Sequence, residues 1–504
     1  MATTLTQQPW HPIRGFDDSS PQHMVSMDMA SAVLNMEIVE RSLKKRDGAS
    51  NVNTTIITAT ATVWQMDTFN KSDDTSQELV NTSDGKVRNV ADISASVIQG
   101  FTTVIPVYST QLLDTMIYAQ GATAMRTWDG SVSGVITASP SGKYVTTHLE
   151  SLWTAGIDGN LSLVSKSAVG DYATFSGAGT ADINISQNDG QVVKGLDVLK
   201  NDIIIYKNNS TYKIIGFDSD TFQVVSVDKN YGCTEHRTIQ DTGEFHLFAG
   251  DNGLYLCDGS RVAKVSDYQD VIWDTRNKTR SAYMDSALYK ENGEYHVSFP
   301  VGSATTNTIT LVYYFRELWT DEFGRVHIPC VKWTGINMAS VHSSKMGSTN
   351  ADVMYYGDYS GFIKVRDSSK SDSDVSISSY VDSPMVEGAS VADTVNLRRC
   401  YVPVVNNVGD VSAYYSTQEN DTSWILAESM AGAGSSSGDG IGETFEIEVS
   451  AIGSSDPATR IERVNYNGAQ ARRVKVRFRQ DSDKRTWQIN APIELYMKQR
   501  GHKT

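Results

Sequence analysis

The chain has 504 residues and carries 44 Lys and Arg against 59 Asp and Glu, a net charge of −15 at pH 7. That balance counts against a surface devoted as a whole to nucleic acid or to an anionic membrane, and no stretch of 18 apolar residues offers a membrane-spanning helix. Cys233, Cys257, Cys330 and Cys400 are separated by 24, 73 and 70 residues. They are too sparse for a disulfide framework and lack the close pair of a zinc site, so they read as reduced, packed thiols.

The opening MATTLTQQPWHPIRGFDDSS lacks the basic start and apolar core of a secretory leader. MASAVLNMEIVERSLKK, residues 29–45, is open between helix and strand. Its apolar positions miss a clean 3.6 period, while Leu34, Met36 and Ile38 alternate as a strand would. Arg46-Asp47-Gly48 then signals a turn, and residues 1–55 together read as an N-terminal arm and docking segment.

From residue 56 the pattern becomes a series of hairpins. YAQGATAMRTWDG, LWTAGIDGNLSLVS, DIIIYKNNSTYKIIG, LFAGDNGLYLCDG, ALYKENGEYHVSFP and VMYYGDYSGFIKVRD each place a Gly/Asn/Asp tip between two strand-like runs. Their starts lie 34, 50, 45, 40 and 66 residues apart. TITLVYYFRELWTDEFG fills the longest gap, and residues 58–92 hold an earlier unit of the same kind. One such unit cannot bury both its faces, whereas a ring of them can. The spacing therefore predicts an all-β fold with a β-propeller of five to seven blades over 56–367; a pair of β-sandwiches would use the same strands.

After Asp367 the texture changes, and residues 368–504 read as an additional C-terminal β-sandwich-like domain. It is interrupted by a flexible Gly/Ser loop at 431–443, AGAGSSSGDGIGE. In RRVKVRFRQ, Val474, Val476 and Phe478 alternate with Lys475, Arg477 and Arg479, predicting a half-buried strand with a basic outer face. From Arg472 to the end the net charge is +7, against −22 for the preceding residues. Arg472, Arg473, Lys475, Arg477 and Arg479 are thus candidates for contact with another copy or with DNA, and a charged solvent face is the plainer reading.

Signals for chemistry are weak. Gly434-Ser-Ser-Ser-Gly438 matches a nucleophile pattern but lacks the strand-to-helix turn that makes it work. Cys233 and His236 are spaced to share a metal without a second pair nearby. Asp228-Lys-Asn230-Tyr-Gly232 reads as a turn more simply than as a calcium loop. Tip acids Asp129, Asp158 and Asp251 and the scattered Arg126, Arg261 and Arg316 are what a propeller glycosidase would draw on. Trp128, Trp153 and Tyr359 could stack on sugars, or pack blades. No P-loop and no dinucleotide fingerprint is present, so no catalytic, metal or cofactor-binding residue is expected.

One stretch carries more. In HLESLWTAGIDGNLSLVSKSAVGDYATFSGAGTADINISQNDGQVVKGLDVLKNDIIIYKNNSTYKIIG a "LW.AG" strand, an "S..GDY..F" segment, a "DG..V.GL" turn and an "L.N.I.IYK..S.Y.I.G" hairpin follow in order. GEFHLFAGDNGLYLCDGSRVAKVS, LNMEIVERSLKKRDG and IELYMKQRGHK extend the likeness. The sequence resembles tailed-bacteriophage tail hub or nozzle proteins of the tail-tubular, DNA-stabilisation type. The resemblance covers about residues 30–300 and the last strand; residues 368–471 match no family. It implies a non-enzymatic virion protein with a propeller body, assembled in the host cytoplasm. Copies would form a ring, usually sixfold, below the portal and adaptor, extending the channel for genomic DNA and closing it until infection. A receptor- or glycan-binding appendage and a propeller glycoside hydrolase are the alternatives.

Overall fold

The computed structural model describes residues 6–500 apart from 41, 58–60, 104, 138–139, 346–350, 388–393, 406–409, 419–422, 431–459, 467–469 and 482–484. Five self-contained, four-stranded antiparallel sheets follow one another over residues 63–99, 108–135, 144–184, 193–228 and 240–264. A sixth unit comprises Asp285–Tyr289, Glu294–Phe299, Ile309–Tyr314 and Cys330–Trp333. A seventh comprises Ser340–Ser344, Val353–Gly357 and Ile363–Asp367, completed by Gly48–Asn51 from the start of the chain. The first strands of the units pack around an axis, and the last, Ser340–Ser344, meets the first, Val63–Asn70. This is a β-propeller, and we call the units blades 1 to 7.

A blade covered on both faces by its neighbours needs apolar side chains in succession, not in alternation. Ile203, Ile204, Ile205 and Tyr206 of blade 4 are accordingly all buried. At the seam between blades 7 and 1, polar contacts join an apolar cluster of Val63, Met66, Val80, Tyr355 and Ile363. Thr68 Oγ1 donates to Glu78 Oε1 at 2.9 Å and lies 2.9 Å from His342 Nε2, and the Ser344 hydroxyl donates to Glu78.

Blade 6 does not end at its fourth strand. Ala32–Leu34 adds to Cys330–Trp333 in parallel, and Ser379–Asp382, Arg473–Gln480, Val411–Ser416 and Ile425–Met430 follow, making one ten-stranded sheet. An eight-stranded sheet lies against its outer part. It contains Thr6–Trp10, Ile493–Arg500, Thr394–Val405, Gln488–Asn490, Ser42–Lys45 and Met36–Val39. Together they form the sandwich, with one apolar core shared with blade 6.

Ala32–Leu34, Met36–Val39 and Ser42–Lys45 are therefore strands. They lack a clear period because both faces are covered: Val33, Met36, Ile38 and Leu43 are buried, and so are the polar Glu37 and Lys45. Just upstream, Gly15 lies on blade 6 with φ +80°, where a Cβ would fall 2.3 Å from the Cys330 carbonyl oxygen.

The seam between propeller and sandwich is built from buried charges. Arg366 of blade 7 donates to Glu294 at 2.7 Å and to Glu37 at 2.6 Å, and Lys44 lies 2.9 Å from Glu37. His296 Nε2 lies 2.8 Å from Glu294. Burial pushes the Glu294 carboxyl up, but Arg366 and the His296 hydrogen bond outweigh it and hold it at about 2. Because its folded-state value lies below the ordinary 4.5, Glu294 stabilises the fold above about pH 4.5, and that contribution is lost as pH falls towards 2. Arg366→Met removes the cation shared by two buried carboxylates, leaving Glu37 to Lys44 and Glu294 to His296, and is expected to cost about 3–5 kcal/mol. Denaturant unfolding of both proteins checks this; an unchanged midpoint would show that the seam is not held by this cation.

Candidate functional site

The axis of the propeller is occupied by its own chain. Between blades 4 and 5, Cys233-Thr-Glu-His-Arg-Thr238 enters the ring and makes a short 3-10 turn at His236–Thr238. Gly195 of blade 4 leaves the room: a Cβ there would lie 2.5 Å from Ile239 Cδ1 and 3.1 Å from His236 Nδ1. Glu235 accepts from the Tyr108 hydroxyl of blade 2 at 2.6 Å. Arg237 Nη1 donates to the Trp64 carbonyl of blade 1 at 2.6 Å and lies 3.8 Å from Asp285 of blade 6. Ser286 Oγ donates to the Arg237 carbonyl at 2.9 Å, and Tyr295 OH to that of Thr238 at 2.8 Å. His236 packs against Tyr108 and the blade 3 residue Tyr144, at 5.4 and 5.3 Å between ring centres.

Dehydration dominates the electrostatics here. It pushes the Glu235 carboxyl up, with Lys143 and Arg237 opposing. It pushes Asp285 up to about 7 despite Arg237 and two peptide N–H donors. It drives His236 down to about 3, leaving the imidazole neutral. Cys233 is pushed up to about 12, so its thiol stays protonated, and its Sγ donates to the Glu235 carbonyl. The segment thus ties blades 1, 2 and 6 together with polar contacts, packs on blade 3 through His236, and presents no activated nucleophile. In the sequence Cys233 and His236 stand out only as a weak metal pair. The available signal was two opposite charges, Glu235 and Arg237, two residues apart in a linker between hairpins.

The basic strand departs from expectation. Arg473–Gln480 runs inside the ten-stranded sheet, between Ser379–Asp382 and Val411–Ser416, and Lys475 and Arg477 on its charged side are buried, not on an outer face. Arg477 is buried, makes a two-pronged contact to Asp382 at 2.6 and 2.6 Å, and stacks between Trp424 and Tyr380. Lys475 is buried and donates to Gln22 at 2.9 Å. Arg473 pairs with Glu387, and Arg479 with Asp481 at 2.5 Å. Arg472 alone of the five is exposed. They lie along one strand, but they do not form a common basic surface.

The other candidates serve turns and packing. Trp128 and Trp153 are buried between blades, the first donating to Gln77, the second edge-on to Phe222. The Tyr359 hydroxyl accepts from the Asn307 amide. Asp129, Asp158 and Asp251 sit on different blades: Asp129 holds its own turn, Asp158 accepts from the Gly159 amide, and Asp251 pairs with Lys278 at 3.0 Å. Arg126, Arg261 and Arg316 bond to Gly100, to Asp258, and to Glu291 and Lys290, each locally. Asp228 accepts from the amides of Asn230 and Tyr231, as a turn requires. All four cysteines are free and buried. Among the described residues, no three His, Cys, Asp or Glu side chains gather as metal ligands. The Gly434–Gly438 motif and the loop at 431–443 lie outside the described residues.

No family model matches the chain, and neither does any curated protein. Among solved structures, similar ones include BamB from Moraxella catarrhalis, at 10% identity over 64% of this chain and 97% of that one, TM-score 0.38. The C-terminal WD40 domain of Sif2 matches at 10% identity over 72% and 98%, TM-score 0.37. The extracellular domain of a putative one-component system from B. thetaiotaomicron matches at 8% over 76% and 47%, TM-score 0.39. The chain spans about half the length of that last protein.

Two measurements probe these sites. Asp285 carries a folded-state value above its ordinary 3.8, so it binds a proton more tightly folded than unfolded and costs stability as pH rises from about 4 to about 7. Asp285→Asn is expected to lose that component, and the stability difference between variant and parent should change across this window in thermal melts; a constant difference would show that Asp285 does not titrate there. Arg477→Met is expected to destabilise by about 3–5 kcal/mol by leaving Asp382 buried without its cation, whereas Arg472→Met should change stability by less than about 0.5 kcal/mol.

Proposed function

We propose that the protein is a structural component of a bacteriophage tail, a ring-forming hub or nozzle subunit that extends the DNA channel below the portal and adaptor. The observation that carries this reading is the ordered set of motifs within residues 148–216. It falls on consecutive working parts of the ring: the second strand of blade 3, the entry to blade 4, and the central hairpin of blade 4.

Three features support it. The axis is filled by Cys233–Thr238, so the propeller is built as a solid block. The sandwich is welded to blade 6 by a continuous sheet, which suits a subunit that must bear load as one body. The propeller residues 56–367 carry 24 Lys and Arg against 35 Asp and Glu, a surface along which DNA slides without being gripped. A ring of identical subunits joins unlike patches whose rotation closes.

Electron microscopy of the purified protein, alone and mixed with portal–adaptor complexes, tests the reading. A closed ring on the axis of the portal is the expected result. Single subunits that never join the portal–adaptor complex, or that attach only at the periphery, would overturn it.

A further inference from the structure

One rim of the propeller is formed by the turns between the first and second, and the third and fourth, strands of each blade. Leu113 and Val132 on blade 2, Val169 on blade 3, Phe217 on blade 4 and Phe323 on blade 6 stand on this rim and are 61–81% exposed. No other large apolar side chain among the described propeller residues exceeds 51%. Single exposed apolar residues are ordinary. A one-sided set is not, because folding gains nothing by placing the most water-exposed apolar groups together at turn tips, where polar residues suffice.

The rim is continuous across blades. Ser72 of blade 1 donates to Asp114 of blade 2 through both its amide and its hydroxyl, at 2.7 and 2.5 Å. Trp153 of blade 3 meets Phe222 of blade 4 at 5.2 Å between ring centres. Over blades 1 to 4 its charge is also one-sided. The turns at 71–75, 113–114, 129–132, 149–150, 167–180, 200–201 and 216–222 carry eight Asp or Glu against Lys71 and Lys200 alone.

We propose that this rim, over blades 2 to 4, is a docking face for a protein surface that presents Lys and Arg around apolar side chains. Exposed aromatic and aliphatic anchors supply the contact area such interfaces need, and the acidic surround selects and steers a basic partner. Nucleic acid and anionic membrane are disfavoured occupants, because both would set phosphates against carboxylates. The inference stands on the rim itself and goes beyond the tail reading; it would apply equally to a propeller working elsewhere.

The test uses the full chain and three probes: a short amphipathic Lys/Leu peptide, oligolysine of the same length, and a DNA duplex. One variant, Leu113→Ser with Val132→Ser and Phe217→Ser, removes the anchors. A second, Asp74→Lys with Glu150→Lys and Asp220→Lys, reverses the surround at exposed acids. Leu161→Ser, on the opposite rim, is the control. All altered side chains are exposed or half-exposed, so melting temperatures should match the parent's. The expected result is that the Lys/Leu peptide binds more tightly than oligolysine and loses about tenfold or more in affinity in each triple variant, but not in the control. Equal binding of oligolysine that ignores the Ser variant would overturn the proposal by showing charge attraction alone. Preferential binding of the duplex to this rim would overturn it too, as would parent self-association that the Ser variant abolishes, since the face would then belong between copies. No peptide binding at all would also refute it.

Discussion

The architecture depends on where one indole ring sits. Trp333, on the last strand of blade 6, is fully buried and has two guanidinium groups over its ring, Arg46 at 5.4 Å and Arg366 at 5.3 Å. Arg46 comes from the N-terminal run that enters the sandwich, Arg366 from blade 7. All five N–H donors of Arg46 are used: Nε on Asn35, Nη1 on the Asp47 carbonyl and Asp372, Nη2 on the Thr334 carbonyl and Asp372. Taking such ions out of water is expensive, and their attraction repays it only when every donor and acceptor is matched. A shift of one residue in any of these segments would leave a buried charge unpaired. The apolar core supplies the bulk of the driving force; this network fixes which registers are allowed.

That constraint explains why the ring is closed from the front of the chain. Gly48–Asn51 completes blade 7 immediately after Ser42–Lys45 has joined the sandwich. A single short run thus shuts the propeller and anchors it, with Arg46 between the two tasks. The axial segment repeats the same strategy on a smaller scale. Arg237 and Glu235 reach outward from one linker to blades 1, 2 and 6, so the ring is braced from its centre as well as at its seam. At the centre, however, the carboxylates are held more by burial than by cations. Their raised values put the axis on the opposite side of the pH balance from Glu294 at the seam with the sandwich.

The blades were legible because their hairpins combine tip chemistry with apolar runs that depend on nearby residues. The unequal spacing also has a cause. Five of the quoted hairpins join the second and third strands of a blade, whereas ALYKENGEYHVSFP joins the first and second strands of blade 6. That shift of one strand shortens one interval and lengthens the next. What the sequence hid is everything decided by distant partners. Lys475 and Arg477 alternate with apolar neighbours as an outward face would, yet Gln22, Tyr380, Asp382 and Trp424 close over them. No local window contains those four residues. Residues 29–45 gave no period because covering both faces erases it, and the axial linker gave none because it is neither strand nor helix.

The ten-stranded sheet connects these parts in one more respect. Its innermost strand, Asp285–Tyr289, places Asp285 against Arg237 at the axis, and its outermost strand, Ile425–Met430, lies at the far edge of the sandwich. Between them every neighbour is joined by backbone hydrogen bonds, and the sheet is covered by a shared apolar core. Packed cores deform little, so propeller and sandwich cannot hinge at this junction without breaking a strand pair. Motion within the chain is then left to turns outside the sheet. A chain whose axis is filled and whose two bodies are fused has its free surfaces on the rims and edges.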